Sequence, residues 1–309
     1  MSAGYAAASR VSKIFSILRD PPPEFAFEIA ADGIAMARTR PPLAAQYVPL
    51  APGVIVPSPV KENVLDPAAF TEAVRKVVPA GGGRGRRAAA LMLPDHTVRI
   101  TVLEFETIPE KEDERRSLIR FRLKKSVPFD IEEAALSYYV QSGNRIVAAI
   151  APAEIVARYE APFRAAGLHP GLVTVSSLAM LELLPATGSL LVARRSPGVL
   201  TVIALKDGIV TIARSLELPA DTPDELEEIS SDIYPTLAYI EDQGGARPER
   251  LFLAGFGPDV ETSATRLSVE LDLPVEPLDE AHPGLAGYLR SLDLAGNLPV
   301  PKIRKTVAA

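Results

Sequence analysis

Residues 24–40, EFAFEIAADGIAMARTR, and residues 198–218, GVLTVIALKDGIVTIARSLEL, repeat one design. In the first, Phe25, Phe27 and Ile29 alternate, Asp32-Gly33 follows, and IAMAR returns. In the second, an apolar run reaches Asp207-Gly208 and IVTIAR returns. Alternation marks strands, and Asp-Gly between two alternating runs predicts a hairpin turning through positive φ. ADGIAMAR beside KDGIVTIAR is a short match. Yet each copy opens a half of similar length, and each half carries helical segments further on. The expectation is a duplicated α/β architecture with two related lobes.

The first lobe is placed at 24–185. Residues 41–60 are a proline-rich edge region, and Asp66-Pro67 caps a helix running to about Val78. GGGRGRR at 81–87 is glycine-rich, but it lacks the GxxxxGK[ST] spacing and no helix follows to aim N–H groups at a phosphate; it reads as a surface loop. AAALMLP and HTVRITVLEF read as strands, and AALSYYVQSGNRIVAAIAP as a hairpin turning at Gly143-Asn144. A small insert is therefore placed at about 84–141. Pro152 to Ala166 reads as a helix stopped at Gly167, and Leu178–Leu184 as a buried apolar helix. The second lobe is placed at 186–294. Thr222-Pro223-Asp224-Glu225 signals a helix start, with a break expected at Pro235. ERLFLAGFG is a strand entering a glycine turn, Val260 to Leu271 a helix, LPVEPLD a strand and HPGLAGYLRSL a closing helix.

Within the insert, RRSLIRFRLKKSVPFDIEEAALSYYV (115–140) predicts a helix beginning after Pro109 and stopped by Pro128. Glu110, Glu112, Asp113 and Glu114 crowd its first turn. Arg120, Arg122, Lys124 and Lys125 crowd its last, the order that the helix dipole favours. A solvated helix end accounts for such a run as well as a contact with an anionic leaflet does.

Composition narrows the function. The 309 residues are 47% hydrophobic and 23% charged, as in ordinary globular proteins. Net charge is −6, so the chain is not built to bind nucleic acid. The 29 prolines, against roughly 15 at average usage, fall between periodic segments and punctuate loops. Without cysteine there is no disulfide, thiolate zinc site or cysteine nucleophile, which fits a reducing cytoplasm. His96, His169 and His282 are far apart in sequence and none has a metal-site partner at helical spacing, so each reads as a turn or surface histidine. No signal peptide or spanning helix is expected.

At the N-terminus, residues 1–23 include Val11, Ile14, Phe15 and Leu18 at helical spacing, with Lys13 outside the stripe. Lys13, Phe15 and Leu18 are candidates for membrane-surface contact. Packing back on the first lobe is an equal reading. Residues 295–309 form a basic tail.

The order of these pieces resembles the PilM family of type IV pilus assembly proteins, relatives of FtsA and of the cytoplasmic domain of GspL. The resemblance is carried by KKSVPFDIEEAALSYYV, by IVAAIAPAEIVARYEAPFRAAGLHPGLVTVSSLAMLELL, by RLFLAGFGPDVETSATRLSVELDLPVEPLD and by GLAGYLRS, and spans about 24–291. It implies an actin-like (ribonuclease H-like) bilobal fold. It implies a cytoplasmic protein, peripheral to the inner membrane, that binds the cytoplasmic peptide of a single-pass PilN-like membrane protein and works beside the pilus motor ATPases. It places the peptide groove between the first lobe and the insert, so Arg120, Arg122, Pro128 and Phe129 are its candidate residues. In the tail, Asn297-Leu298-Pro299 resembles part of the Asn-Leu-Leu-Pro core of the PilN peptide, a match short enough for coincidence.

The family also carries ATP and Mg²⁺ between its lobes, and here this sequence departs from the pattern. The first phosphate loop should read Asp-Ile-Gly; it reads Glu28-Ile29-Ala30-Ala31-Asp32, with Ala30 in place of the glycine that admits phosphate. The second runs ARRSPGVLTVIAL, with no carboxylate between Ser189 and Asp207 and with Arg194 and Arg195 expected in a solvent-facing loop, contact with an anion being the alternative. Leu218-Pro219-Ala220 stands where Gly-Gly is expected, and only Gly255 and Gly257 keep the adenosine-side glycine character. The expectation is a degenerate nucleotide site and a non-catalytic adaptor without cofactor. The alternatives are a working Mg-ATPase of the same fold and a small-molecule kinase of the same superfamily.

Overall fold

The computed structural model describes residues 22–40, 44–80, 87–219, 224–278 and 280–293. Two five-stranded sheets and one three-stranded sheet organise them. The first sheet contains β1 (Phe25–Ala30), β2 (Gly33–Arg38), β3 (Ala45–Pro49), β4 (Arg87–Leu93) and β8 (Leu168–Val175) in the order β3-β2-β1-β4-β8. The second contains β9 (Ser189–Ser196), β10 (Val199–Lys206), β11 (Ile209–Glu217), β12 (Arg250–Ala254) and β13 (Val275–Pro277) in the order β11-β10-β9-β12-β13. In both, an antiparallel three-strand meander is extended by two parallel strands. The duplication is therefore real.

Its register is not the one the sequence match implied. Identical strand orders make β1–β2 the counterpart of β9–β10, whereas KDGIVTIAR lies on the next hairpin, β10–β11. The turns differ too. Asp207 and Gly208 have φ of 47° and 82°, but neither Asp32 nor Gly33 has positive φ. Ala30 pairs with Gly33, so the loop is Ala31-Asp32. The Tyr47 ring end packs directly over Gly33, so a side chain there would displace that ring.

The insert is a sheet of order β5-β7-β6, formed by β5 (Arg99–Glu104), β6 (Ala134–Gln141) and β7 (Arg145–Pro152), with its hairpin turn at Gly143-Asn144 in positive φ. The boundary at 84–141 is thus corrected at both ends. β4 is a central parallel strand of the first sheet, apolar on both faces, and β7 belongs to the insert. Helix α2 (Glu112–Leu123) covers this sheet through Ile119 and Leu123, which pack on Ile146, Ala148 and Ile150. It has the expected acidic start and basic end. It stops five residues before Pro128, where Ser126 bonds back to the Leu123 carbonyl through both its N–H and its hydroxyl.

Helices α1 (Pro67–Val77) and α3 (Ala153–Ala165) cover one face of the first sheet through Phe70, Val74, Tyr159 and Phe163. The short α4 (Ser176–Ala179), with the 3-10 turn Met180–Leu183 behind it, and α7 (Pro283–Asp293) cover the other. The closing helix, assigned by sequence to the second lobe, thus returns to the first; Leu285, Tyr288 and Leu289 fill against Ala26, Ala35 and Ala90. Helices α5 (Glu225–Asp242) and α6 (Val260–Leu271) cover the outer face of the second sheet. The inner face, with Val192, Ile203 and Phe252, shares a core with the first lobe. α5 is unbroken at Pro235, and its cap is Asp224, whose carboxylate accepts from the Leu226 and Glu227 N–H groups. Among the described residues no helix is long and apolar enough to cross a membrane. The readings for Lys13, Phe15 and Leu18, the glycines of 81–85, Thr222-Pro223 and Asn297-Leu298-Pro299 lie outside the described residues.

Candidate functional site

Two concave sites follow from this architecture. The first is a groove of about 420 Å³ between the insert and the first lobe. One wall is β6 with β7 behind it, through Ala135, Ser137, Tyr139 and Ala149; the other is β8, through Leu172 and Val173. Among the described residues, β6 ends the insert sheet and β8 ends the first sheet, so the groove runs between two sheet edges with no strand partner. Such edges present N–H and C=O groups at strand spacing. Arginines from α2 occupy part of the β6 edge. Arg116 Nη1 donates to the Leu136 carbonyl at 3.3 Å, Arg120 Nη2 to the Ala134 carbonyl at 3.4 Å, and Arg120 Nη1 to the Ile131 carbonyl. These carbonyls therefore point away from β7, and the first two bonds are long.

Of the residues expected at the groove, Arg120 lines it, and Arg116, which the sequence did not single out, stands beside it. The other three do not. Arg122 lies over the Phe105 ring, with its guanidinium carbon 5.4 Å from the centroid. Phe129 packs on the insert's own core, and Pro128 is exposed outside the groove. Helical spacing explains the split: Arg116 and Arg120 are four apart on one face, and Arg122 is on another.

The second site is the cleft between the lobes. Alternation along β9 sends Val192 and Arg194 towards the first lobe, and Ala193 and Arg195 towards α5. Arg195 is held by Glu225 of α5, with Nε and Nη2 at 2.6 and 2.7 Å from its two oxygens. Arg194 is not in a solvent-facing loop. It is buried between two carboxylates of the first lobe: Nη1 lies 2.6 Å from Asp95 Oδ2 and Nη2 lies 3.0 Å from Glu28 Oε1. Each carboxylate spends its other oxygen on a helix start. Asp95 Oδ1 accepts from the Ser177 N–H at 2.8 Å, and Glu28 Oε2 from the Leu285 N–H at 2.8 Å. Glu28 is 2% exposed and Asp95 1%. Burial works against the Arg194 charge, but the adjacent Asp95 and Glu28 outweigh it and hold the guanidinium pKa above its usual range.

This triad fills the cleft. The space left beside Ala30, Asp95, Arg194 and Pro197 is about 20 Å³, room for one water. Of the expected nucleotide-site residues, Glu28 and Ala30 meet here. Asp32 is in the first turn, its carbonyl accepting from the Tyr47 hydroxyl at 2.7 Å. Gly255, with φ 78°, has a structural role, since a Cβ would fall 2.2 Å from the Arg195 carbonyl oxygen. Gly257, with φ 71°, opens the 3-10 turn Gly257–Asp259.

Comparison with solved structures settles the architecture. The chain superposes on a chain of the PilM-PilN type IV pilus biogenesis complex with a TM-score of 0.69 at 20% identity, covering 91% of this chain and 100% of that one. It superposes on a Bacteroides thetaiotaomicron protein of actin-like ATPase fold and unknown function (TM-score 0.51, 12% identity, 82% and 90% covered). The fold is actin-like. The resemblance seen in the sequence therefore holds in three dimensions, and it extends to the cytoplasmic domain of EpsL, an inner-membrane component of the Vibrio cholerae type II secretion system (TM-score 0.50, 10% identity, 89% and 96% covered). No protein-family model and no curated protein matches the sequence. In this actin-like frame the two hairpin turns, Ala31-Asp32 and Pro197-Gly198, face each other across the cleft that Arg194 occupies.

Proposed function

We propose that the chain is a non-catalytic, PilM-like scaffold of a pilus or secretion machine, which holds an extended cytoplasmic peptide of a PilN-like membrane protein. The observation that carries this reading is the groove between the β6 and β8 edges. It is apolar along its length, flanked by Arg116 and Arg120, which pair with Glu112 and Glu132, and bounded by two rows of main-chain groups. An extended peptide satisfies such edges by adding a strand, and its alternate side chains fill the apolar walls. The similarity to a chain of the PilM-PilN complex supports the choice of partner. On this reading the protein works in the cytoplasm and reaches the inner membrane and the motor ATPases through that partner.

We infer also that Mg-ATP does not fit the interlobe cleft. A nucleotide's phosphates need open space, backbone amides and carboxylates free for metal-bound water. Here the space is about 20 Å³ and both carboxylates are engaged with Arg194. Two measurements test the two halves. A synthetic peptide from the cytoplasmic end of the PilN-like single-pass partner, immobilised, retains the full chain, and alternate N-methylation of that peptide releases it with a period of two. Retention that ignores N-methylation overturns strand addition. Calorimetry with Mg-ATP gives no saturable heat; a micromolar affinity overturns the reading of the cleft.

A further inference from the structure

We propose that the interlobe cleft is a cation site that the protein fills with its own side chain: Arg194 is a tethered ligand, and the Glu28–Asp95 pair is its receptor. The inference rests on the reading that no nucleotide occupies the cleft, and goes beyond it by assigning what closes the lobes instead.

Three observations converge. The receptor carboxylates come from separate segments of the first lobe, the end of β1 and the 3-10 turn Asp95–Thr97, while the cation comes from β9 of the second. The receptor is built independently of its ligand, because the Leu285 and Ser177 N–H groups hold the second oxygen of each carboxylate. The glycine that opens α7 keeps the site tight: a Cβ on Gly284 would lie 2.8 Å from the Ser176 backbone and 3.1 Å from the Glu28 carboxyl carbon. A planar guanidinium meets two carboxylates at once through separate nitrogens held in a fixed fork, whereas an ammonium offers its donors from one rotatable nitrogen. The Arg194 Nε is buried without a hydrogen-bond partner, so the two Nη atoms carry the attachment.

A ligand between lobes holds them closed, and a tethered one does so permanently. The lobe-to-lobe geometry is then set at folding and does not respond to a nucleotide cycle. Removing the ligand leaves two facing carboxylates inside the protein, a costly arrangement that a free guanidinium cation relieves.

The test is hydrogen exchange, read by mass spectrometry, on the full chain without nucleotide. In Arg194→Ala, amides of the cleft (the β1–β2 turn, residues 94–98, 176–179 and 283–287) exchange faster by roughly tenfold or more, while β4 and β12 in the lobe cores stay protected. Added methylguanidinium slows the cleft amides again, and sodium chloride at equal ionic strength does not. Unchanged cleft protection overturns the proposal, and so does uniformly faster exchange that methylguanidinium does not reverse. If Arg194→Ala does not fold, Arg194→Gln serves. It is uncharged and leaves the two carboxylates without a cation, so faster exchange confined to the cleft supports the proposal and wild-type protection contradicts it. Because this experiment contains no nucleotide, Mg-ATP binding by the wild type would refute the nucleotide-free reading without altering the exchange result.

Discussion

The carboxamide of Gln141 grips the main chain of Val210 from both sides: Nε2 donates to the Val210 carbonyl at 2.9 Å, and Oε1 accepts from the Val210 N–H at 2.8 Å. Gln141 ends β6 of the insert, and Val210 lies in β11 of the second lobe, whose neighbour across the interface is β5. The insert is thus fastened to the far lobe by a two-point bond that imitates a strand ladder. Gln141→Ala leaves both Val210 groups without that partner. It should cost about 1–3 kcal/mol in urea denaturation, with faster amide exchange confined to β5 and β11.

α7 and α4 approach so closely that only glycine fits between them. A Cβ on Gly287 would lie 2.2 Å from the Ala179 carbonyl oxygen and 2.7 Å from the Met180 Cα. Backbone cannot move aside as a side chain does. Gly287→Ala should destabilise the protein by about 1–3 kcal/mol or more through overpacking. Gly171→Ala is the control, because nothing lies within 4 Å of a Cβ there and φ is not positive. It should be neutral by the same measurement, or stabilising by a few tenths of a kcal/mol.

Asp224 caps α5 and accepts from Arg266 of α6, Nη2 to Oδ2 at 2.6 Å. Hydrogen bonding from Arg266, with the Glu227 and Leu226 amides, holds its carboxyl below the usual range. A depressed folded-state pKa gives stability that is fully present above the unfolded value of about 3.9 and lost as pH falls through the folded value. Asp224→Asn keeps a capping oxygen but cannot lose a charge. The stability difference between wild type and Asp224→Asn, measured by urea denaturation at successive pH values, should therefore be constant near neutrality and shrink only below about pH 4.

Much of this structure was legible because hairpins and amphipathic helices are local. The FAFEIA alternation, the Gly143-Asn144 turn and the charge order of α2 all appear as expected. What failed was long-range. Two Asp-Gly hairpins look alike whichever strands they join, so the match fell one hairpin out of register. The insert boundary failed because a buried parallel strand such as β4 reads the same beside any sheet. The triad was missed because Arg194 is 99 residues from Asp95 and 166 from Glu28. A signal was nonetheless present. Glu28 stands inside FAFEIA, and a carboxylate in so apolar a strand needs a buried cation. In the groove, i,i+4 spacing from Arg120 points to Arg116, whereas the Pro128-Phe129 corner lies after the helix and shares no face with them.

The central claim is that the β6–β8 groove holds the partner peptide, and Ser137 tests it most directly because it lines the groove while its side chain is exposed. Fluorescence anisotropy of a labelled cytoplasmic peptide from the proposed PilN-like partner would be titrated with the wild type and with Ser137→Trp. The prediction is saturable binding to the wild type, at least tenfold weaker binding to Ser137→Trp, about 1.4 kcal/mol, and equal urea midpoints for the two proteins. Equal affinity for both, or no binding by the wild type, would contradict it.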